Sequence, residues 1–479
     1  MGRKNQGNKG STAKSAVKHA ATRSSKSEDL LAEFSLVHAR TIHTKPANSI
    51  LSGPRGQLTI SSKHVATSNA GFSGFRHLLL MILGLGNVRV LIRDWKRFGF
   101  LSFLDQLGLH VADMKWSLKI ILSIVVVWPI ALAIELMAVP LARQQRKTPD
   151  SPVVPAWKWQ LVNVLHSLNA CTMLAVASYL TYTKIYHPLL GTSVSCITVI
   201  TFMKLVSFIL SNRDLRQAYI SNLPLSSISQ EVPYPSNLTA QSVLDYMCVP
   251  TLVYQSAYPR VSKTRLRVVF TLFGEVVVGL AALWLLTTQM ATPVLQHVTT
   301  HYQQHDTEAL LDDFLSLMTI NMSIWLCGFL LIFQSMLNLA AELTKFADRE
   351  FYADWWNAGS LGAYWRDWNR PVSNFFRRHV YVPLRKAGFS LTMAQTAVFF
   401  FSAIGHELVV GVATKNFNGV AFMCMMMQMP LIMATAPLER MRGPGTTIGN
   451  CIFWISVLFG QPTGVIIYYL SWQLKHVSL

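Results

Sequence analysis

FYADWWNAGSLGAYWRDWNRPVSNFFRRHVYVP, residues 351–383, has no counterpart elsewhere in the chain. Trp355–Trp356, Trp365 and Trp368 stand among Asp354, Asn357, Arg366, Asp367 and Asn369. Long apolar segments flank the stretch, and the downstream one carries a His–Glu pair, His406–Glu407. Trp and Tyr favour the headgroup level of a bilayer, so an interfacial aromatic belt accounts for the rings. It does not account for Asn357, Asn369 and Asn374, or for the charges between the rings. The expectation is one active site at the membrane, built from this stretch and the histidine.

Composition agrees with a membrane setting. The 479 residues are 51% hydrophobic and only 14% charged, with mean hydropathy +0.33. Charged residues make up about a quarter of an ordinary soluble domain. A net charge of +19 raises the question of nucleic acid. The basic residues, however, sit between apolar segments and in the N-terminal tail, as cytosolic loops of a membrane protein do. No nucleic-acid partner is expected. The six cysteines show no CxxC pair and no zinc spacing, so neither disulfides nor metal are expected. Residues 1–75 hold 11 Lys/Arg against three acidic residues and lack a signal-peptide core. They read as a disordered basic cytosolic tail ahead of one membrane-embedded domain, 76–479.

A membrane helix needs roughly 20 mostly apolar residues. Nine segments qualify: 77–93, 116–139, 160–181, 189–211, 267–290, 313–341, 391–413, 418–437 and 449–472. The chain is therefore expected to be an all-α integral membrane protein. Basic clusters follow the second, fourth, sixth and eighth segments, whereas 291–312 has acidic residues and no Lys or Arg. This alternation puts the N-terminus and residues 342–390 in the cytosol and the C-terminus across the membrane, in the endoplasmic reticulum lumen. The loop 212–266 contains five prolines and cannot be one helix. Its Asn237-Leu-Thr239 acceptor pattern falls on the cytosolic side, away from glycosylation.

Intramembrane polar groups carry the chemistry. Gln334, Asn338 and Glu342 recur every four residues and share a helix face, either as interhelical hydrogen-bonding groups or as the lining of a chamber. His406 lies about fifteen residues into its apolar segment. It is either a hydrogen-bonded core residue or a functional group. Neighbours on a helix point about 100° apart, so a His406–Glu407 dyad is not implied.

Residue identity adds a resemblance. FYADWWN resembles the FYxDWWN signature of the acyl-CoA:cholesterol and acyl-CoA:diacylglycerol acyltransferases, a branch of the membrane-bound O-acyltransferases. The likeness runs on through YWRDWNRPV, RRHVYVP, GHELVVG, QMPL at 428–431 and GQP at 460–462. Upstream, 237–260 is also similar, so the ordered match covers roughly 75–475. It implies about nine transmembrane helices around an intramembrane reaction chamber. It implies catalysis by His406 and Asn369, and acyl-CoA contacts from Trp368, Arg378, Tyr381 and Ser402. Glu407, Gln428 and Gln461 would line the chamber. Phe351, Tyr352, Asp354, Trp355, Trp356 and Asn357 carry the signature itself. Acyl-CoA is then a co-substrate, with no cofactor and no metal. Homo-oligomers, dimers or tetramers, are the family habit. One departure stands out: relatives commonly read PVH where this chain has Pro371-Val372-Ser373, and a serine cannot replace imidazole as a base.

A histidine suits such a reaction. Its ordinary pKa near ~6.5 leaves it neutral at cytosolic pH, ready to take a hydroxyl proton. Asn369 is either an amide donor to a developing oxyanion or a turn residue before a proline. The YW spacing and GQP favour the diacylglycerol branch, making triacylglycerol. GHELVVG and QMPL keep a sterol acyltransferase as the alternative. A transporter, the third class, would show an internal repeat, and none is apparent.

Overall fold

The computed structural model describes residues 110–147, 153–222, 232–441 and 444–477. The expected tail at 1–75 and span at 77–93 lie outside the described residues. Among those described, every regular element is a helix, and one isolated bridge pairs Arg260 with Phe346. Eight helices are long and apolar enough to cross a membrane: Val111–Arg146, Ala156–Lys184, Pro188–Ile220, Leu266–Gln304, Thr307–Leu343, Leu391–Ala413, Val420–Leu438 and Gly445–Ser471. They match the remaining eight expected segments one for one.

Helix ends are where expectation and structure part. The segment expected to stop at 290 continues to Gln304, through part of the stretch read as a loop. The added turns, Thr292–Gln304, close at His305 in the left-handed conformation, φ 55°. Apolarity marks only the membrane-embedded part of a helix, whereas backbone hydrogen bonding carries it on into water. Three stretches widen into π-turns, at 286–291, 330–336 and 377–381. Such turns cluster at functional sites, and a hydropathy pattern does not reveal them.

The first three described spans pack around Ile120, Ile124, Trp128, Ala131, Leu205 and Phe208. Buried charges pin them. Glu135 pairs with Arg216, and its second oxygen lies 3.2 Å from His166 Nε2. The Tyr234 hydroxyl donates to the same carboxylate at 3.3 Å. A charge at this depth persists only when paired.

A second ionic cluster anchors the approach to residues 351–383. Glu342 is fully buried and accepts from Arg265 at 2.9 and 3.0 Å and from Arg349 at 2.7 Å. It thereby ties the start of the 266–304 helix to the chain entering the signature. Glu342→Leu is expected to strand the Arg349 guanidinium and destabilise the protein by about 3–5 kcal/mol. Thermal unfolding in detergent measures this; an unchanged midpoint would show that the cluster holds nothing. Close packing does the rest. A Cβ at Gly449 would collide with the backbone carbonyl of Gly359, so only glycine lets the last helix lie against the loop after Trp355–Trp356.

Candidate active site

The signature stretch folds as a chain of short turns rather than a helix. Trp355–Asn357 form one 3₁₀ turn, followed by helices Leu361–Asp367 and Arg370–Phe376. Ser360 caps the first helix, its hydroxyl accepting from Ala363 N at 3.1 Å. Asn450, from the last helix, donates to the carbonyls of Trp356 and Ala358 at 2.9 and 3.0 Å. Arg370 N donates to Phe351 O at 3.0 Å, and the Arg370 guanidinium meets Glu350 at 2.7 Å. The two halves of the stretch are thus stitched together next to Asn369.

The tryptophans form a single aromatic cluster. Trp368 stacks on Trp325, with centroids 5.3 Å apart and planes 16° apart, and meets Phe333 at 5.2 Å. Trp355 sits edge-on to Trp325 and Phe329, each at 5.0 Å. Such pairs contribute about 0.5–1.5 kcal/mol each beyond area burial. The rings pack on one another and on Phe329 and Phe333 of the 307–343 span, which a belt of separate interfacial rings does not require. Phe351 and Trp355 are buried, and the Tyr352 hydroxyl donates to Gln334 at 3.0 Å. Asp354 and Asn357 are exposed.

Trp365 makes the connection to the histidine helix. Its indole N–H donates to Gln428 Oε1 at 3.2 Å, and its ring meets Phe399 edge-on at 5.7 Å. Phe399 precedes His406 by seven residues, two helical turns, so the two share a face. The face of His406 is therefore the face that touches the Trp-rich stretch. The imidazole is exposed at the surface of the described residues, on the same side of its helix as Phe399.

The tautomer of His406 follows from its partner. Nδ1 lies 2.8 Å from the Ser402 carbonyl oxygen, and a carbonyl only accepts. Nδ1 therefore carries the hydrogen of the neutral ring, leaving the lone pair on Nε2. Ser402 Oγ stands 3.4 Å from the same nitrogen. Glu407 is turned away, as the 100° step requires. Its carboxylate accepts from Gly419 N at 2.9 Å, Phe422 N at 3.1 Å and the Tyr468 hydroxyl at 2.9 Å. It clamps the 420–438 span and the last helix to the histidine helix.

Asn369 caps the helix Arg370–Phe376, its Oδ1 accepting from Val372 N at 3.2 Å. That bond fixes the amide plane and turns Nδ2, the donor end, away from the helix. Gln461 accepts from Asn321 at 3.2 Å, joining the last helix to the 307–343 span. Arg378 and Tyr381 stand half-buried on the 377–381 π-turn, and Arg378 donates to Tyr254 O at 3.3 Å. Burial pulls its guanidinium below the ordinary value, against the pull of Asp214. Arginine stays charged even so. Arg377, Arg385 and Lys386 are exposed. Upstream, burial and then Glu350 push Asp348 up to about 6.

The structure thus joins Trp365, Gln428 and the face of His406, and sets Trp368 in the neighbouring aromatic stack. Expectation missed Trp365 as the bridge, Asn450 as the anchor of Trp356, and Tyr468 as the partner of Glu407. Among these only Asn450 had a signal, as a lone amide at the start of an apolar run. Asn237 is buried and bonded to Asn212, which agrees with reading its acceptor pattern as unused.

All-helical among the described residues, with eight helices long and apolar enough to cross a membrane, this is a polytopic membrane protein. The family described as MBOAT, membrane-bound O-acyltransferase, matches residues 175–471, and the chain belongs to that family. It is similar to diacylglycerol O-acyltransferase 1 of Arabidopsis thaliana, 32% identical over 83% of this chain and 72% of the relative. It is 30% identical to the Homo sapiens protein of that name, over 84% and 81%. It is also 30% identical to the Dictyostelium discoideum one, covering 86% of this chain; the match spans 64% of that relative's length.

Proposed function

We propose that the protein transfers a fatty acyl group from acyl-CoA to the free hydroxyl of diacylglycerol, forming triacylglycerol and CoA. The observation that carries the reading is the helix face that His406 shares with Phe399, whose ring packs on Trp365, itself bonded to Gln428, with Nδ1 engaged and Nε2 left as the basic nitrogen. The names of the relatives supply the acceptor.

The chemistry balances without a metal or a covalent enzyme intermediate. His406 Nε2 takes the hydroxyl proton as the alcohol oxygen attacks the thioester carbonyl. Charge on that carbonyl oxygen is met by the Asn369 amide. The C–S bond breaks, and the CoA thiolate leaves with the proton returned from the imidazolium. Arg378, Tyr381 and Trp368 border the cytosolic approach for acyl-CoA, whose phosphates suit guanidinium donors. Glu407 serves this site by holding the histidine helix against its neighbours.

Membranes holding the protein, given labelled oleoyl-CoA with diacylglycerol and sterol in parallel, are expected to form triacylglycerol. Sterol ester alone would replace the acceptor, and no ester from either would defeat the reading. The enzyme is placed in the endoplasmic reticulum membrane, N-terminus cytosolic and C-terminus lumenal. Position 357 is exposed, so a cysteine put there is expected to react with a membrane-impermeant reagent from the cytosolic side. Reaction only after the lumenal face is opened would invert the topology.

A further inference from the structure

The Pro-rich segment between the 188–220 and 266–304 helices supplies none of the reacting groups proposed above, yet it is heavily bonded. Lys204, inside the 188–220 helix, is buried and its ammonium donates to three carbonyls, of Tyr246, Met247 and Val249, at 2.8, 2.9 and 2.7 Å. These carbonyls end the helix Ala240–Cys248. A cation there also meets the negative end of the helix dipole. The Tyr246 hydroxyl lies 2.8 Å from Leu252 O. Asn237 donates to Asn212 Oδ1 at 2.8 Å and to the Tyr254 hydroxyl at 3.1 Å. Asn212, Ser207, Tyr246 and Tyr254 are all at least 99% buried. A buried polar group costs free energy unless it is bonded, so this segment has one conformation it can satisfy.

What that conformation presents is the point. Tyr254 N donates to Ser207 Oγ at 2.9 Å, and Ser207 Oγ lies 2.8 Å from His379 Nε2. The serine hydroxyl thus bonds the segment's backbone and the imidazole at once. The carbonyl of the same Tyr254 accepts from Arg378. Tyr254 therefore holds Arg378 directly and His379 through Ser207. The two residues before Tyr254, Leu252 and Val253, pack against Phe375, in the helix that Asn369 caps.

We propose that Ser207 and Tyr254 are positioning residues for acyl-CoA: they fix the 377–381 π-turn so that Arg378 meets the thioester substrate in a set orientation. This rests on the reading that acyl-CoA is bound at that turn. The segment acts from outside the reacting groups. Loosening it should weaken the binding of one substrate and leave the other untouched.

The test uses the full-length protein in nanodiscs, with Ser207→Ala, Ser207→Thr and Arg378→Met. Losing the hydroxyl's bonds to Tyr254 N and His379 is expected to raise the KM for acyl-CoA about 5- to 10-fold in Ser207→Ala. Its kcat should stay within about 2-fold, with the KM for the acceptor unchanged. Ser207→Thr keeps the hydroxyl and is expected to restore the acyl-CoA KM. Because Ser207 acts through the turn, Ser207→Ala in an Arg378→Met background should add little further. An unchanged acyl-CoA KM in Ser207→Ala, or an equal rise in both KM values, overturns the proposal. Arg378→Met separates the two readings. If it leaves the acyl-CoA KM unchanged, the placing of acyl-CoA at the turn fails. If it raises that KM while Ser207→Ala does not, only the positioning role fails.

Discussion

His406→Ala is expected to lower kcat by about 10³-fold or more while protein level and acyl-CoA binding persist. The size follows from the geometry. The alcohol is a weak nucleophile until its proton leaves. His406 is the only His, Asp or Glu on the helix face that shares Phe399 and looks toward Trp365. Glu407 cannot substitute, because its carboxylate is occupied by two backbone N–H groups and Tyr468. The Nδ1 partner is a backbone carbonyl, so Ser402→Ala should leave the reactive tautomer in place and cost far less. Single-turnover ester formation with preloaded acyl-CoA measures the chemical step. Near-normal turnover in His406→Ala would remove the base from the mechanism.

Asn369 carries two roles that a pair of substitutions separates. As a helix cap its side-chain oxygen is worth about 1 kcal/mol of stability. As a donor to the thioester oxyanion its amide N–H is expected to be worth about 10²-fold in kcat. Asn369→Ala removes both. Asn369→Asp keeps a competent cap and replaces the donor with an acceptor that carries charge. The expected result is normal stability with kcat down about 10²-fold in Asn369→Asp. Full activity in that variant would leave Asn369 a cap and nothing more. Ser373, where relatives commonly read histidine, sits in the helix so capped, with its N–H bonded to Asn369 O at 3.0 Å.

Much of this protein is legible along the chain, because membrane insertion is read locally. About 20 apolar residues make a span whatever surrounds them, so eight segments were found within a few residues at most ends. The stretch at 351–383 was recognisable by residue identity, and its mixture of rings and amides set it apart from a belt. The 100° step between His406 and Glu407 was likewise enough to refuse them a direct pairing. Helix ends beyond the bilayer were not legible, nor were the π-turns, because neither leaves a hydropathy signal.

The amino-acid order by itself determined the place of the eight described spans, the family, and the set of residues able to do chemistry. Tertiary structure alone decided which of them meet. Periodicity assigns a side chain to a face of its own helix but says nothing of what packs there. Trp365 bridging Gln428 and Phe399, Tyr468 engaging Glu407, and Tyr254 holding Arg378 each join residues 34 to 124 positions apart. Such contacts are chosen by how rigid helices fill space against one another, a property no single segment contains.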